Sequence, residues 1–182
     1  MRILGVDPGT RATGYGVVEF VSAELAGRGG LRLRRVAGGV IRPKSGTPLG
    51  ERLAGIQAEL ARVIERFEPD ATAVENVFSG RNPRSALILG HARGVALAAF
   101  AASGLETGEY SPSQVKQAVV GYGAAAKPQV QRMVQRLLGL ERVPPADEAD
   151  ALAIAICHGH SCGPRPLKAR RPSETRREVK AR

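Results

Sequence analysis

The sequence has little of what marks a secreted or a membrane protein. Its 182 residues include only two cysteines, which are too few for a disulfide framework. No uninterrupted apolar run reaches the ~18 residues of a membrane-spanning helix, so we predict no membrane span. The N-terminal apolar run already meets an acid at Asp7, whereas a secretory signal needs a longer uncharged stretch, so we expect a cytoplasmic protein.

The composition is that of a folded, basic protein. Hydrophobic residues make up 43% of the chain, which excludes global disorder. Lysine and arginine outnumber the acids by 27 to 17, for a net charge of +10, and this excess favours a polyanionic partner such as nucleic acid. Residues 164–182 alone carry eight basic and two acidic side chains. We therefore predict a domain over residues 1–162 and a basic, disordered tail over 163–182, which either solubilises the protein or contacts DNA.

The hydrophobic periodicity predicts an α/β fold. Strands are expected at 2–7, 14–20 and 31–41, joined by short links as an antiparallel meander. A stripe of apolar residues from Leu49 to Phe67 then predicts a long helix, with Thr47 as its cap and Pro48 in its first turn. The remaining elements are a strand at 71–75, a helix from Pro83 to about Ser103, a strand at 105–110, and helices at 112–120, 128–138 and 146–160.

The second predicted helix carries an unusual face. Gly90, Gly94 and Ala98 fall four residues apart on it. Since glycine weakens a helix, we expect something to pack closely there, either the sheet or a partner helix.

Four acids stand at special positions in this scheme. Asp7 and Glu75 each end a strand, so they share one crevice if those strands are adjacent and parallel. Asp147 and Asp150 lie three residues apart at the start of the last helix and face one side. Carboxylates that converge without matching cations call for a hard divalent ion, Mg²⁺ or Mn²⁺. Two such ions form a phosphodiester-cleaving site; the alternative is that the two helix acids are caps and Glu75 is a surface residue.

An ordered set of motifs then resembles a known family. The motifs are LGVDPGT at 4–10, TGYG at 13–16, ENVF at 75–78, LGHARGV at 89–95, QVKQAVVG at 114–121, KPQVQ at 127–131 and ADEADALAIA at 146–155. With this set, the chain over residues 3–158 is similar to the RuvC family of Holliday-junction resolvases, within the RNase H-like superfamily.

The resemblance implies a fold, a reaction and partners. The fold would be an RNase H-like mixed five-stranded sheet flanked by helices. The protein would be a homodimer that binds a four-way DNA junction and nicks two opposed strands symmetrically, leaving 5′-phosphate and 3′-hydroxyl ends, in DNA recombination and repair. The family's metal-binding acids fall on Asp7, Glu75, Asp147 and Asp150, which would hold two Mg²⁺ ions, or Mn²⁺. The resemblance also implies cooperation with the RuvA–RuvB branch-migration complex.

Five further residues are candidates for DNA contacts. Phe78 stands in a polar loop of a chain with only 4% aromatic residues, and the family suggests that it stacks on or wedges between bases; otherwise it anchors the next helix in the core. Lys116 and Lys127 match basic residues near the family's active site and would contact phosphate. Arg81 and Arg84 would grip the DNA backbone or lie on the surface.

Other functions remain open at this point. The turn at 7–10 is similar to the phosphate turn of actin-like ATPases, but that fold duplicates its domain and no second such turn occurs. A junction-binding protein without activity and a small RNA-processing nuclease are further alternatives. A zinc site at 157–162 is disfavoured, because six contiguous residues are too few to surround a tetrahedral ion.

Overall fold

The computed structural model describes residues 1–22, 31–76 and 83–162. Its element order, βββαβαβααα, confirms the prediction. The strands are β1 (Arg2–Asp7), β2 (Thr13–Ser22), β3 (Leu31–Ile41), β4 (Ala71–Glu75) and β5 (Thr107–Tyr110). The helices are α1 (Leu49–Phe67), α2 (Pro83–Ala102), α3 (Pro112–Val120), α4 (Lys127–Leu138) and α5 (Ala146–Cys162).

The five strands form one mixed sheet in the order β3-β2-β1-β4-β5. The first three strands pair antiparallel, as predicted, while β4 runs parallel to β1 on one side and to β5 on the other. The carboxyl ends of β1, β4 and β5 therefore meet at one edge of the sheet. This edge is where sites collect in open α/β sheets.

Helices cover both faces of the sheet. On one face, Leu4, Val6 and Val74 pack with α1 and α2 around Phe100. On the other face, Ile3, Val18 and Ala73 pack with α3, α4 and α5. Alternate strand residues thus enter opposite cores, as a pleated strand requires. Residues 151–159 of α5 are all buried, which confirms the expectation that this apolar helix lies inside the fold.

A stripe of strand glycines lets α5 lie directly on the sheet. A Cβ at Gly5 would overlap backbone atoms of Ala151 and Ala155, and one at Gly14 would overlap the carbonyl oxygen of Asp147. Gly16 faces Leu152 in the same way. Because these positions have no side chain, the first turn of α5 sits close to the ends of β1 and β2.

Two local predictions are wrong. Thr47 does not cap α1: the N-cap is Pro48, with no side-chain bond to the helix, and the Thr47 hydroxyl instead donates to the carbonyl oxygen of Lys44. The backbone at Pro48 is extended, with a ψ of 151°, so the helix begins only at Leu49. The fifth strand begins at Thr107 rather than residue 105, because Leu105 closes the end of α2 through a bond to the Phe100 carbonyl.

The small-residue face of α2 does not pack against the sheet. A Cβ at Gly90 or Gly94 would meet nothing within 4 Å, and Ala98 is also exposed. The helix buries its other face, through Ala92, Ala96, Ala99 and Phe100. Of the two packing partners predicted from the sequence, the sheet is therefore excluded.

The α2 helix also corrects the argument about membrane spans. Among the residues that the structure describes, this one helix is long and apolar enough to cross a membrane, with a mean hydropathy of 1.5 and 22% of the 18-residue window buried. The absence of an uninterrupted apolar run therefore does not exclude a span by itself. In the fold, however, Arg93 of α2 bonds to the end of β4, and the buried face of α2 belongs to the core.

Candidate active site

Asp7 and Glu75 are neighbours at the carboxyl edge of the sheet. Val6 pairs with Val74 in the parallel ladder between β1 and β4, and each acid is the residue that follows. Both carboxylates line one cavity. The prediction that the two strands are adjacent and parallel, and that their acids share a crevice, is confirmed.

The first turn of α5 brings the other two acids to the same edge. Asp150 lines the cavity with Asp7 and Glu75. Asp147 lies one turn earlier, at the periphery, where its charge still contributes to the raised pKa of Asp7. The Asp147 carboxylate lies 3.5 Å from the guanidinium of Arg42, just beyond the end of β3. The structure therefore gathers all four predicted acids, three of them in the cavity wall.

The cavity has a volume of about 260 Å³ and is lined by both charged and apolar side chains. Its charged members come from β1, β4, α5 and the α3–α4 pair, and its apolar members come from α3, α4 and α5. The lining comprises Asp7, Glu75, Pro112, Val115, Lys116, Lys127, Val130, Asp150, Ala153 and Ile154.

The negative charge of this cavity is poorly compensated. Burial, together with the charges of Asp150, Glu75 and Asp147, raises the pKa of Asp7 to about 7 despite the opposing charge of Lys127. Burial and then Asp150 also raise the pKa of Glu75. A carboxylate that prefers to be protonated near neutral pH is one whose charge the surroundings do not stabilise. A bound cation would relieve that penalty at both residues.

The cavity also contains cations, in agreement with the expected position of Lys116 and Lys127 near the site, although the argument from converging acids assumed that they lack basic partners. The ammonium group of Lys127 donates to Asp150 at 3.0 Å, and this bond raises the pKa of Lys127. Lys127 and Lys116 both lower the pKa of Glu75. Asp147 and Asp150 thus have basic partners, whereas none of the ion pairs found among the described residues includes Asp7 or Glu75. The resemblance placed Lys127 near the site, but the pairs Lys127–Asp150 and Arg42–Asp147 depend on elements that meet only in the folded chain.

The donor chemistry of the site fits a hard divalent ion. Carboxylate oxygens are the ligands that Mg²⁺ and Mn²⁺ prefer, and the two acids with the least compensated charge stand side by side. Within 1–22, 31–76 and 83–162, no three acidic, histidine or cysteine side chains already surround a single point. The fit therefore lies in the ligand type and the excess negative charge.

The predicted DNA contacts are placed as follows. Lys116 and Lys127 line the cavity, and Arg84 lies exposed in the first turn of α2. Phe78 and Arg81 lie outside the described residues. Sequence reasoning missed Arg42, since nothing near it in the chain indicates that the first turn of α5 lies beside it.

The sheet order and the position of its acids define the class of the protein. A mixed five-stranded sheet with an antiparallel β1–β3 meander, acids ending β1 and β4, and a buried helix bringing further acids across them is an RNase H-like fold with a nuclease-type acidic site. Within that class, the family model described as "Crossover junction endodeoxyribonuclease RuvC" matches residues 3–158. The chain belongs to the RuvC family.

Individual relatives agree with this assignment. The crossover junction endodeoxyribonuclease RuvC of Syntrophotalea carbinolica is 51% identical over 160 residues, which are 88% of this chain and 94% of the relative. The structure of Thermus thermophilus RuvC is similar with a TM-score of 0.76 and 41% identity, over 87% of this chain and 93% of that one. The structure of T. thermophilus RuvC in complex with a Holliday junction substrate gives a TM-score of 0.77 at 40% identity, over 87% and 92% of the two chains.

Proposed function

We propose that this protein is a DNA endonuclease that resolves Holliday junctions in recombination and repair by nicking two opposed strands. The observation that carries the proposal is the cavity where Asp7, Glu75 and Asp150 meet beside two lysines. Family membership supports the same reaction, as does the similarity to a relative whose structure contains a Holliday junction. The products would be 5′-phosphate and 3′-hydroxyl ends.

Four acids would hold the metal ions of this reaction. Asp7 and Glu75 stand at the centre, with Asp150 beside them and Asp147 at the rim. Two Mg²⁺ ions, or Mn²⁺, would supply Lewis acidity and an activated water when bound there. Their binding would offset the burial and the repulsion between carboxylates that raise the pKa of Asp7 and Glu75.

The lysines would act on the DNA phosphate. Both line the same cavity as the acids, so a phosphate bound there would lie near them. Lys127 reaches Asp150 and would exchange this partner for a phosphate oxygen, while Lys116 would hold the neighbouring charge. Positive charge placed at a scissile phosphate stabilises the transition state. The apolar part of the lining, which includes Val115, Val130 and Ile154, would limit the water that screens these charges.

Further DNA contacts would come from residues around the cavity. Phe78 would stack on or wedge between bases, and Arg81 and Arg84 would bind the sugar–phosphate backbone. The basic segment 163–182, which we propose lies outside the catalytic domain, would add an attraction for DNA that weakens with salt.

The active form would be a homodimer. A Holliday junction offers paired phosphates on opposed strands, so two active sites at a fixed spacing would select it over a duplex. The exposed small-residue face of α2 supports this assembly, because a helix of such high hydropathy with bare Gly90 and Gly94 offers a close approach to a partner helix. The dimer would act in the cytoplasm with the RuvA–RuvB complex.

Cleavage of a synthetic four-way DNA junction in Mg²⁺, beside a linear duplex of the same sequence, tests the proposal. The wild type should make paired, ligatable nicks in the junction alone. Asp7→Asn and Glu75→Gln should abolish nicking and retain junction binding. Glu65→Gln serves as the matched control, since Glu65 lies exposed on α1, and it should cut like the wild type.

Other outcomes would replace the proposal. Tight junction binding without nicks in any divalent metal would indicate a binding protein. Preferential cleavage of RNA junctions would indicate an RNA-processing nuclease. ATP-dependent turnover would revive the actin-like alternative.

A further inference from the structure

We propose that Arg93 is a positioning residue that holds the carboxyl end of β4 and thereby orients Glu75 for catalysis. The inference rests on the proposed function, because it assigns a role in the same site. Arg93 lies in the segment 89–95 that marked the resemblance to the family, yet the cavity does not include it.

The guanidinium of Arg93 contacts the sheet at the point where β4 ends. Its Nε donates to the main-chain carbonyl of Glu75 at 3.3 Å, and its Nη2 donates to Oδ1 of Asn76 at 2.9 Å. Nη2 also pairs with the carboxylate of Glu109 on β5. The side chain is mostly buried, with 21% of its surface exposed. One cation from α2 therefore joins the last residue of β4, the residue after it and the adjacent strand.

The end of β4 needs such support. Glu75 is the last residue of the strand, and the bond from Asn76 N to Tyr110 O, 2.7 Å, ends the ladder to β5. The ladder between β1 and β4 ends at Val74, one residue before Glu75. The bond from Arg93 to the Glu75 carbonyl therefore holds the backbone just beyond that ladder.

Arg93 acts on the position of Glu75 rather than on its charge. Lys127 and Lys116 are the cations that lower the pKa of the Glu75 carboxylate, whereas Arg93 bonds to the main-chain oxygen of that residue. Groups that orient a metal ligand from behind typically matter ~10–100-fold for metal affinity or activity. Catalysis is similarly sensitive to small errors in placement.

The simpler reading is an ion pair between α2 and β5 that serves stability alone. In that case the important contact of Arg93 would be its ion pair with Glu109. Any loss of cleavage in an Arg93 variant would then be proportional to the loss of folded protein. The two readings differ in which contact carries the effect and in whether metal binding changes.

Four variants separate these readings. Arg93→Gln removes the charge and the forked donor, Arg93→Lys keeps the charge, and Glu109→Gln removes only the partner on β5. Arg62→Gln is the control, since Arg62, like Arg93, is a helical arginine paired with a glutamate, but it lies exposed on the surface of α1. Junction cleavage in Mg²⁺ gives kcat and KM, calorimetry with Mn²⁺ measures metal affinity without DNA, and thermal unfolding monitors the fold.

Arg93→Gln should lower kcat or Mn²⁺ affinity by ~10–100-fold while junction binding stays within about twofold, because it leaves the proposed DNA contacts intact. Arg93→Lys should recover part of the loss, and Glu109→Gln and Arg62→Gln should behave like the wild type. Equal losses in Glu109→Gln and Arg93→Gln, or wild-type kcat and Mn²⁺ affinity in Arg93→Gln, would overturn the inference.

If Arg93→Gln does not fold, Arg93→Lys provides the test. Weakened Mn²⁺ binding by Arg93→Lys at wild-type stability would support the inference, and unchanged Mn²⁺ binding would overturn it. A wild type that never cuts the junction would refute the proposed function instead, and the Mn²⁺ measurement would still test the role of Arg93.

Discussion

Arg35 of β3 and Glu148 of α5 form an ion pair across the face of the sheet. Nε and Nη2 of Arg35 lie 2.8 and 2.7 Å from Oε1 of Glu148, and Nη2 also donates to the carbonyl of Gly38. Glu148 is 7% exposed and stands between Asp147 and Asp150 in the chain. The pair therefore fixes the helical turn that carries two of the four acids.

Breaking this pair should destabilise the protein. Glu148→Gln leaves the Arg35 guanidinium partly buried without its counter-charge, and Arg35→Met does the same to the Glu148 carboxylate. Removal of one partner of a fully buried pair costs about 3–5 kcal/mol, so we expect roughly 1–3 kcal/mol here, where Arg35 is one-third exposed. The double variant Arg35→Met/Glu148→Gln should lose less than the sum of the two single losses, because neither charge is then left without its partner. Urea unfolding measures each value.

A second ion pair in the same sheet provides the control. Arg34 on the neighbouring position of β3 pairs with Glu19 but is 65% exposed. Arg34→Met should therefore change the free energy of unfolding by no more than ~1 kcal/mol. Strictly additive losses in the Arg35/Glu148 double variant would contradict the coupling of the two residues.

The close contact between α5 and the sheet yields a second prediction. In Gly14→Ala the new Cβ would overlap the carbonyl oxygen of Asp147, which is backbone and cannot turn aside. The helix must lift or shift, so we expect a loss of about 1–3 kcal/mol or more in unfolding free energy and a larger relative loss in cleavage rate. Gly55→Ala in α1, where a Cβ meets nothing within 4 Å, should instead stabilise by ~0.5–1 kcal/mol. Equal cleavage rates in the two variants would contradict the role of the glycine stripe.

The parts of this site that could be predicted are those indicated by a short stretch of sequence around each residue. Asp7 and Glu75 could be placed because each acid follows a short apolar run, and Asp150 because it precedes an all-apolar helix. The glycine stripe of β1 and β2, the pairs Arg42–Asp147 and Lys127–Asp150, and the bonds of Arg93 could not be predicted, because each depends on elements that meet only in the folded chain. Thr47 had the right residue type for a cap, but the proline after it took that position.

The pKa of Asp7 predicts how stability depends on pH in the absence of metal. The folded protein holds a proton on Asp7 more tightly than the unfolded chain, with a pKa of about 7 against 3.8. Stability should therefore fall as the pH rises from about 4 to 7, and the full penalty is present above pH 7. In EDTA, Asp7→Asn should be more stable than the wild type at pH 8 by ~1–4 kcal/mol, the upper value corresponding to about 1.4 kcal/mol per pKa unit.

The difference between the two proteins should shrink toward pH 4, where Asp7 is protonated in both states. Thermal unfolding across this range, with Glu65→Gln as a control, measures it. Added Mg²⁺ should stabilise the wild type more than Asp7→Asn, by mass action on the folded state. A wild type that gains stability relative to Asp7→Asn as the pH rises would show that the carboxylate is compensated.

The exposed face of α2 provides the last prediction, because the chain offers a matched pair of exposed helical glycines on two different helices. Gly94 on α2 and Gly55 on α1 both leave open space around a Cβ, so a glutamate at either position should leave the monomer folded. On α2, however, a buried charge would oppose the close approach of a partner helix. We expect Gly94→Glu to be monomeric in sedimentation and to make unpaired nicks in the junction, while Gly55→Glu remains a dimer that makes paired nicks. A dimeric Gly94→Glu would place the dimer interface elsewhere, and a monomeric wild type would remove the two-fold basis that we propose for junction selectivity.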